Sequence, residues 1–313
     1  MKKSYYNNRK KKARQNRTKG KGARRFKESM TGFLFLLPAL LPLLVFWVGP
    51  VLYSLWLSFT DWDMMSPEIH FVGLSNYKSL IGQSDFMAVL QNTLVFALGS
   101  VIPTILLGLL AALALSSAKK GTRIYRMVMF APYITPMVAV SIVWSWIFEP
   151  RVGILNYVLS FLGIHGLKWI QSRNTAMLSV IIVTVWKQIG WTLLFYLEAL
   201  QKVPGNLLEA AAIDGAGKVK RFLKITLPMI SPTTFFLLII TTINSLQAYD
   251  QIQVLTQGGP AGSTRTLLYY YYQEAFESFH TGKASAVAVI LVLITVILSL
   301  AETKVSRKYI YYE

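Results

Sequence analysis

The residues most able to do chemistry here are polar groups in places where polarity is expensive. Lys187 lies inside an otherwise apolar stretch, flanked by Trp186 and Gln188. A cation at the centre of a membrane helix costs roughly 2.5–3.5 kcal/mol, so Lys187 is expected to face a partner or water. In a later apolar stretch Asn244, Gln247, Tyr249, Asp250 and Gln251 gather toward what reads as its outer end. Asn244, Gln247 and Asp250 follow one another at intervals of three, a spacing that one helical face can carry. Neutral amides beside aromatic rings suit a hydroxyl-rich solute, through hydrogen bonds and a stacking face. The same amides also suit hydrogen bonding between helices, worth about 1 kcal/mol each. Gln91 and Asn92 are weaker candidates of the same kind.

A second constellation is VPGNLLEAAAIDGAGKVKRFLKITLP, from Val203 to Pro228. Pro204-Gly205 reads as a turn, Asn206 as an N-cap, and Glu209 stands at the capping-box position three residues later. A short Ala-rich helix follows, with Gly215 as its stop. Val219 to Leu227 then reads as a second short basic helix, ended by Pro228. Two features exceed capping. Asp214 sits at a helix C-terminus, where the dipole disfavours an anion by about 0.3–1 kcal/mol. Ala210, Ala211 and Ala212 form a small-residue patch that lets another backbone come close.

Catalytic inventories are missing. There is no GxxxxGK[ST] phosphate loop and no supported Ser/His/Asp set, so the chain reads as no enzyme. It has no cysteine, which excludes disulfides and thiolate ligands. His70, His165 and His280 stand far apart and read as lone loop residues, so neither a metal nor a cofactor is expected in this chain.

The elements that must position these groups follow from composition. Of 313 residues 54% are hydrophobic, mean hydropathy is +0.45, and only 15% are charged, against about 25% in soluble proteins. Several uncharged runs exceed the roughly 18 residues that mark a membrane helix. Six spans emerge, at about 33–59, 88–116, 127–148, 175–197, 229–249 and 284–301. The first carries Pro38, Pro42 and Pro50 and is expected to be kinked or partly broken. Its uncharged core of 27 residues is too long for a signal h-region of 7–15, so it reads as a retained span. Backbone groups in hydrocarbon must be satisfied within the segment, so these are helices. The fold class is all-α membrane protein, a six-span domain over residues 30–313 after a basic tail at 1–29.

The net charge of +18 is segregated, with 13 of 32 Lys and Arg in the first 27 residues. Such a tail is expected to be disordered and drawn to anionic lipid, by about 1 kcal/mol per basic residue, rather than to nucleic acid. The tail, residues 119–126, the 198–228 loop and the C-terminus together hold 25 basic residues, against six in the opposite loops. By the positive-inside rule both termini and the 203–228 loop are cytoplasmic. Trp47, Trp56, Trp62, Trp144, Trp146 and Trp169 near span ends agree. The run Tyr269–Tyr272 falls in an outer loop, as an interfacial belt or as a contact surface for a partner or ligand.

The 203–228 loop resembles the EAA loop of permease subunits of binding-protein-dependent ABC importers. Glu209-Ala210-Ala211, Gly215 four residues later and Ile225-Thr226-Leu227-Pro228 all stand at that family's spacing. Pro50–Ser54 through Phe59-Thr60-Asp61, Phe71–Tyr77, Trp186-Lys187 and Leu255–Pro260 extend the likeness to the carbohydrate-type branch, the maltose, glycerol-3-phosphate and multiple-sugar permeases.

The resemblance implies a multi-pass permease in a bacterial cell membrane, carrying a sugar or sugar-like solute from an extracytoplasmic binding protein. It implies an EAA loop between spans 4 and 5, docked in a groove of a cytoplasmic ATPase present in two copies, which binds the ATP and Mg. Glu209 would pair with a basic residue of that ATPase, Ala210 and Ala211 would pack in its groove, and Gly215 would make the turn. Asp214, Leu227 and Pro228 belong to the same motif. The outer loops are short, so contact with the binding protein is expected on small surfaces such as 250–283. The C-terminal segment Lys304–Glu313 lacks the sister subunit's ending. Within that family the resemblance then implies the first-permease type, expected to need a different second permease.

Two other classes compete. A secondary transporter driven by an ion gradient requires intramembrane acids and broken repeats, whereas the spans as read here hold no acid beyond the boundary residues Glu198 and Asp250. A lipid- or RNA-binding scaffold leaves the 203–228 loop unexplained.

Overall fold

The computed structural model describes residues 30, 32–116 and 121–309. The basic tail at 1–29, and Lys119 and Lys120, lie outside the described residues. The chain divides into two units, residues 1–56 and 57–313.

The first unit is the helix α1, Gly32–Leu57, which runs into the start of the second. Pro38 and Pro42 do not break it. A π turn at Leu44–Val48 lets the Gly49 N–H reach the Leu44 carbonyl five residues back, and Pro50 follows at once. Proline lacks an N–H and its ring crowds the carbonyl four residues earlier. Widening the turn just ahead of it removes that conflict.

The second unit is all helical among the described residues, apart from an isolated bridge between Thr60 and Phe71. Its framework is α2 (Ser84–Ser116), the pair α3 (Thr122–Ile134) and α4 (Met137–Ile147), then α5 (Ala176–Gln201). It continues through α6 (Gly205–Ile213), α7 (Lys218–Leu246), α8 (Asp250–Leu255), α9 (Leu267–Tyr272) and α10 (Thr281–Tyr309). Five helices of the whole chain are long and apolar enough to cross a membrane, and six if α3 and α4 count as one broken span. The 33 residues of α2 form one helix about 50 Å long, containing Pro103.

Three sequence expectations are corrected. The third span is not continuous over 127–148: α3 and α4 meet at 99°. Pro136 drives Thr135 to φ −67°, ψ 137°, an extended conformation in which no helix continues. Pro228 does not end a separate helix. Lys218–Arg221 passes through a π turn at Phe222–Thr226 directly into Leu227–Leu246. The Leu227 N–H bonds the Phe222 carbonyl five back, so Pro228 stands at the same offset from its π turn as Pro50 does from the first. Last, the four tyrosines of α9 do not all lie open to serve as a belt or contact surface. Tyr269 and Tyr270 are buried, and Tyr271 and Tyr272 are half-buried.

The core is built along α2. Val101, Ile105 and Ala112 cluster with Leu193, Tyr196 and Leu197 of α5 and Ile230 and Leu237 of α7. Nearer the N-terminal end of α2, Phe86, Val89 and Ala97 cluster with Leu246, Leu267, Tyr270, Ala286, Val287 and Leu291. Leu246 therefore ends α7 beside the N-terminal half of α10.

Candidate functional site

Lys187 is the pivot of the site. Its ammonium donates to the carbonyls of Pro132 (3.2 Å), Tyr133 (2.8 Å) and Thr135 (2.8 Å). These are acceptors left without helical donors where α3 ends. Lys187 also lies 5.5 Å from the Tyr133 ring centroid. The expected partner of Lys187 is thus the broken backbone of α3, not a carboxylate, and all three of its protons are engaged there. Gly190, one turn further along α5, makes the approach possible. A Cβ there would collide with the Met129 carbonyl.

Around this clamp opens a cavity of about 380 Å³ lined by Tyr133, Met137, Thr184, Lys187, Gln188, Asn244, Gln247, Ala248, Tyr249, Asp250 and Gln251. Lys187, Gln188, Asn244, Gln247, Tyr249 and Asp250, anticipated from sequence, converge here. Asn244, Gln247 and Asp250 do not share one continuous helix, because α7 stops at Leu246 and the chain turns before α8. The turn nonetheless delivers all three to one cavity. Trp186 is not in the lining. It points away around α5, its ring in edge contact with Trp144 at 5.4 Å between centroids.

Sequence reasoning missed Tyr133, Met137 and Thr184 as lining residues. Tyr133 sits just before the helix-breaking Pro136, and its ring stacks on Trp191 at 5.9 Å. Thr184 is buried and accepts a 3.4 Å bond from Gln251 Nε2. Its position one turn before Lys187 on α5 was the available signal. Gln91 and Asn92 line a different cavity. α10 runs on past residue 301 and takes in Glu302. Glu302 Oε1 accepts from Thr242 Oγ1 at 2.8 Å, while Oε2 is buried with no partner among the described residues.

The second constellation forms the helical hairpin expected of it, with a further correction at its start besides the one at Pro228. The N-cap of α6 is Pro204, not Asn206, and no side-chain cap is made. Asn206 Oδ1 instead accepts from the Leu207 N–H, so Glu209 has no capping-box role. Fixed φ suits proline to a helix start, which moves the boundary ahead of Asn206. The far end is as read. Gly215 has φ +77°, and the Ala216 N–H bonds Ala211 and the Gly215 N–H bonds Ala212, a Schellman closure. Arg221 Nη1 ties the second arm to the first through the Leu208 carbonyl at 3.2 Å. Glu209, Ala210 and Asp214 are exposed on α6, and Ile213 is 87% exposed, an apolar side chain with little cover from this chain. Leu208 and Phe222 share a cleft with Leu113, Leu115 and Ser116 at the C-terminal end of α2.

Comparison with known proteins agrees with this architecture. The model of the family described as binding-protein-dependent transport system inner membrane component matches residues 104–311. A probable ABC transporter permease, YurN of Bacillus subtilis, is 34% identical over 276 residues, covering 87% of this chain and 94% of its own. The sn-glycerol-3-phosphate transport system permease UgpA of Pectobacterium atrosepticum is 32% identical over 291 residues, covering 92% and 98%. A crystal structure of a bacterial ABC transporter that imports the acidic polysaccharide alginate has a chain matching with a TM-score of 0.77 at 22% identity, over 90% of this chain and 96% of its own. An inward-facing methionine ABC transporter, MetNI, matches with a TM-score of 0.52 at 18% identity, over 73% and 100%. At those identities the two structures speak for the fold. With the family model spanning most of the chain and the curated permeases aligned over nearly all of it, the protein is a multi-pass membrane protein belonging to the binding-protein-dependent transport system inner membrane components, the permeases of ABC importers.

Proposed function

We propose that this permease carries a sugar or sugar-like solute into a bacterial cell, from an extracytoplasmic binding protein through the cavity beside Lys187. ATP hydrolysis in a separate cytoplasmic ATPase, bound in two copies with its Mg, drives the step through α6. Both termini then lie in the cytoplasm, and a second, different permease completes the pathway.

The observation that carries this reading is the path of the chain. α5 places Lys187 and Gln188 at the cavity and leads through a turn at 202–204 into the hairpin, while α7 leaves the hairpin and ends beside the cavity with Asn244. A push on α6 therefore acts on two cavity walls through the two long helices that flank the hairpin. Exposed Glu209, Ala210 and Ile213 give an ATPase groove a charge, a close approach and an apolar knob. Amides and tyrosines suit hydroxyl-rich solutes, as do relatives named for sn-glycerol-3-phosphate and alginate.

The test is a pull-down of wild-type chain and Glu209→Lys from detergent-solubilised native membranes. Wild type should retain an ATPase and a second permease, and the variant should lose the ATPase alone. Absence of any ATPase with the wild-type chain under gentle conditions would sink the proposal.

A further inference from the structure

A second polar cavity, of about 550 Å³, lies between the first turns of α2, the start of α5 and the loop joining α8 to α9. Two arginines line it, Arg173 and Arg265, together with Asn92 and Ser263. Its single acid is Asp85, 80% exposed and 4.0 Å from Arg265 Nη1, an ion pair that water and salt readily loosen. Arg265 Nε and Ser263 Oγ are buried and have no hydrogen-bond partner among the described residues. Both can donate, and they belong to one short loop. That loop is braced: Asn92 Nδ2 donates to the carbonyls of Gly262 (2.8 Å) and Arg265 (3.2 Å), and Thr93 Oγ1 accepts from the Leu267 N–H (2.8 Å). Two guanidinium groups lining one recess, one of them on a braced loop, are the chemistry of a carboxylate receptor, since guanidinium pairs with both carboxylate oxygens.

Position selects the source of that carboxylate. The recess is at the N-terminal end of α2, and the hairpin cleft is at its C-terminal end, about 35 Å away along one helix. The recess therefore faces the side opposite the hairpin. From Asn174 to Lys187 along α5 is roughly 20 Å, and the two cavities share no lining residue, so a solute bound in the central cavity does not occupy the recess. We infer that this recess is a docking socket for an Asp or Glu side chain of the extracytoplasmic solute-binding protein. The inference rests on the import reading above and deepens it.

The test places a photo-crosslinking residue, p-benzoylphenylalanine, at exposed Ala261 on the rim of the recess, in cells expressing the whole transporter. Light should yield an adduct with the solute-binding protein, joined at a peptide carrying an Asp or Glu. Arg265→Glu should reduce the adduct by about tenfold or more, as expected when a paired charge is reversed at an interface, and Arg265→Lys should restore much of it. Arg173→Glu, at an exposed position, gives the same readout without touching the braced loop. Membrane level and ATPase retention are scored for every variant. An adduct with the second permease instead, or a binding-protein adduct indifferent to both charge reversals, overturns the socket. If the ATPase is retained but no binding-protein adduct forms, the socket fails and the importer reading stands. If neither protein associates, both fail.

Discussion

Replacing Lys187 by methionine separates two physical accounts of that residue by sign. If the ammonium simply faced lipid, its removal would recover the roughly 2.5–3.5 kcal/mol that a mid-span cation costs, and the variant would be more stable. Here the ammonium instead donates to three carbonyls at the break between α3 and α4. A hydrogen bond from a charged donor contributes about 1.5–3 kcal/mol when fully buried. This side chain borders an open cavity where water replaces part of each bond, so about 1 kcal/mol per bond is a fair discount, and about 3 kcal/mol in all. For a chain of this size that corresponds to a fall of very roughly 5 °C in Tm. Thermal unfolding of the detergent-solubilised complex, followed by tryptophan fluorescence, reads it. Lys187→Arg should lose less, because it keeps donors within reach. A Tm for Lys187→Met equal to or above wild type would refute the clamp.

Other outcomes follow from the same geometry. Gly190→Val should force α3 away from α5 and abolish uptake, while Gly205→Ala, which has open space around it, should be silent in the same assay. Asn244→Leu and Gln247→Leu should each reduce transport by about fivefold, the equivalent of one lost hydrogen bond, on whichever labelled sugar the wild-type complex carries. ATPase copurification should be unchanged in both. Glu274 is buried beside Lys283 (2.9 Å) and His280 (3.1 Å). Burial pushes its carboxyl up, but hydrogen bonds from Lys283, His280 and Tyr270 outweigh that and hold it below the ordinary glutamate value. A depressed folded-state value means stability is fully present above the unfolded glutamate pKa of about 4.3 and is lost as pH falls through the lower folded value. Tm measured from pH 7 down to pH 3 should therefore drop at the acid end for wild type. The drop should be smaller for Glu274→Gln, which starts from a lower Tm at neutral pH.

What the sequence by itself determined is what depends on neighbours along the chain. Apolar runs too long for a soluble core had to become membrane helices, because backbone groups find no partner in hydrocarbon except within the helix. Gly215 could be read as a stop because only a residue tolerant of positive φ closes a helix that way, and it adopts φ +77°. The polar residues flagged for their cost, Lys187 and the amides after Leu246, do meet in one cavity. How they meet was decided by tertiary structure. Lys187 clamps carbonyls 52 to 55 residues earlier in the chain, a contact set by the crossing of α3 and α5 at Gly190 that no local pattern encodes. Tyr270 of α9 is buried against Phe86 and Val89 of α2 and Ala286 and Val287 of α10, and Tyr269 against Phe96, Ala248 and Ile252, rather than by any feature of their own run. Pro50 and Pro228 look like breakers until the π turns before them are seen, and a π turn is a register choice made by the whole helix. Hydropathy and turn chemistry are properties of short windows, whereas which face of a helix looks inward is settled only when the other helices are in place.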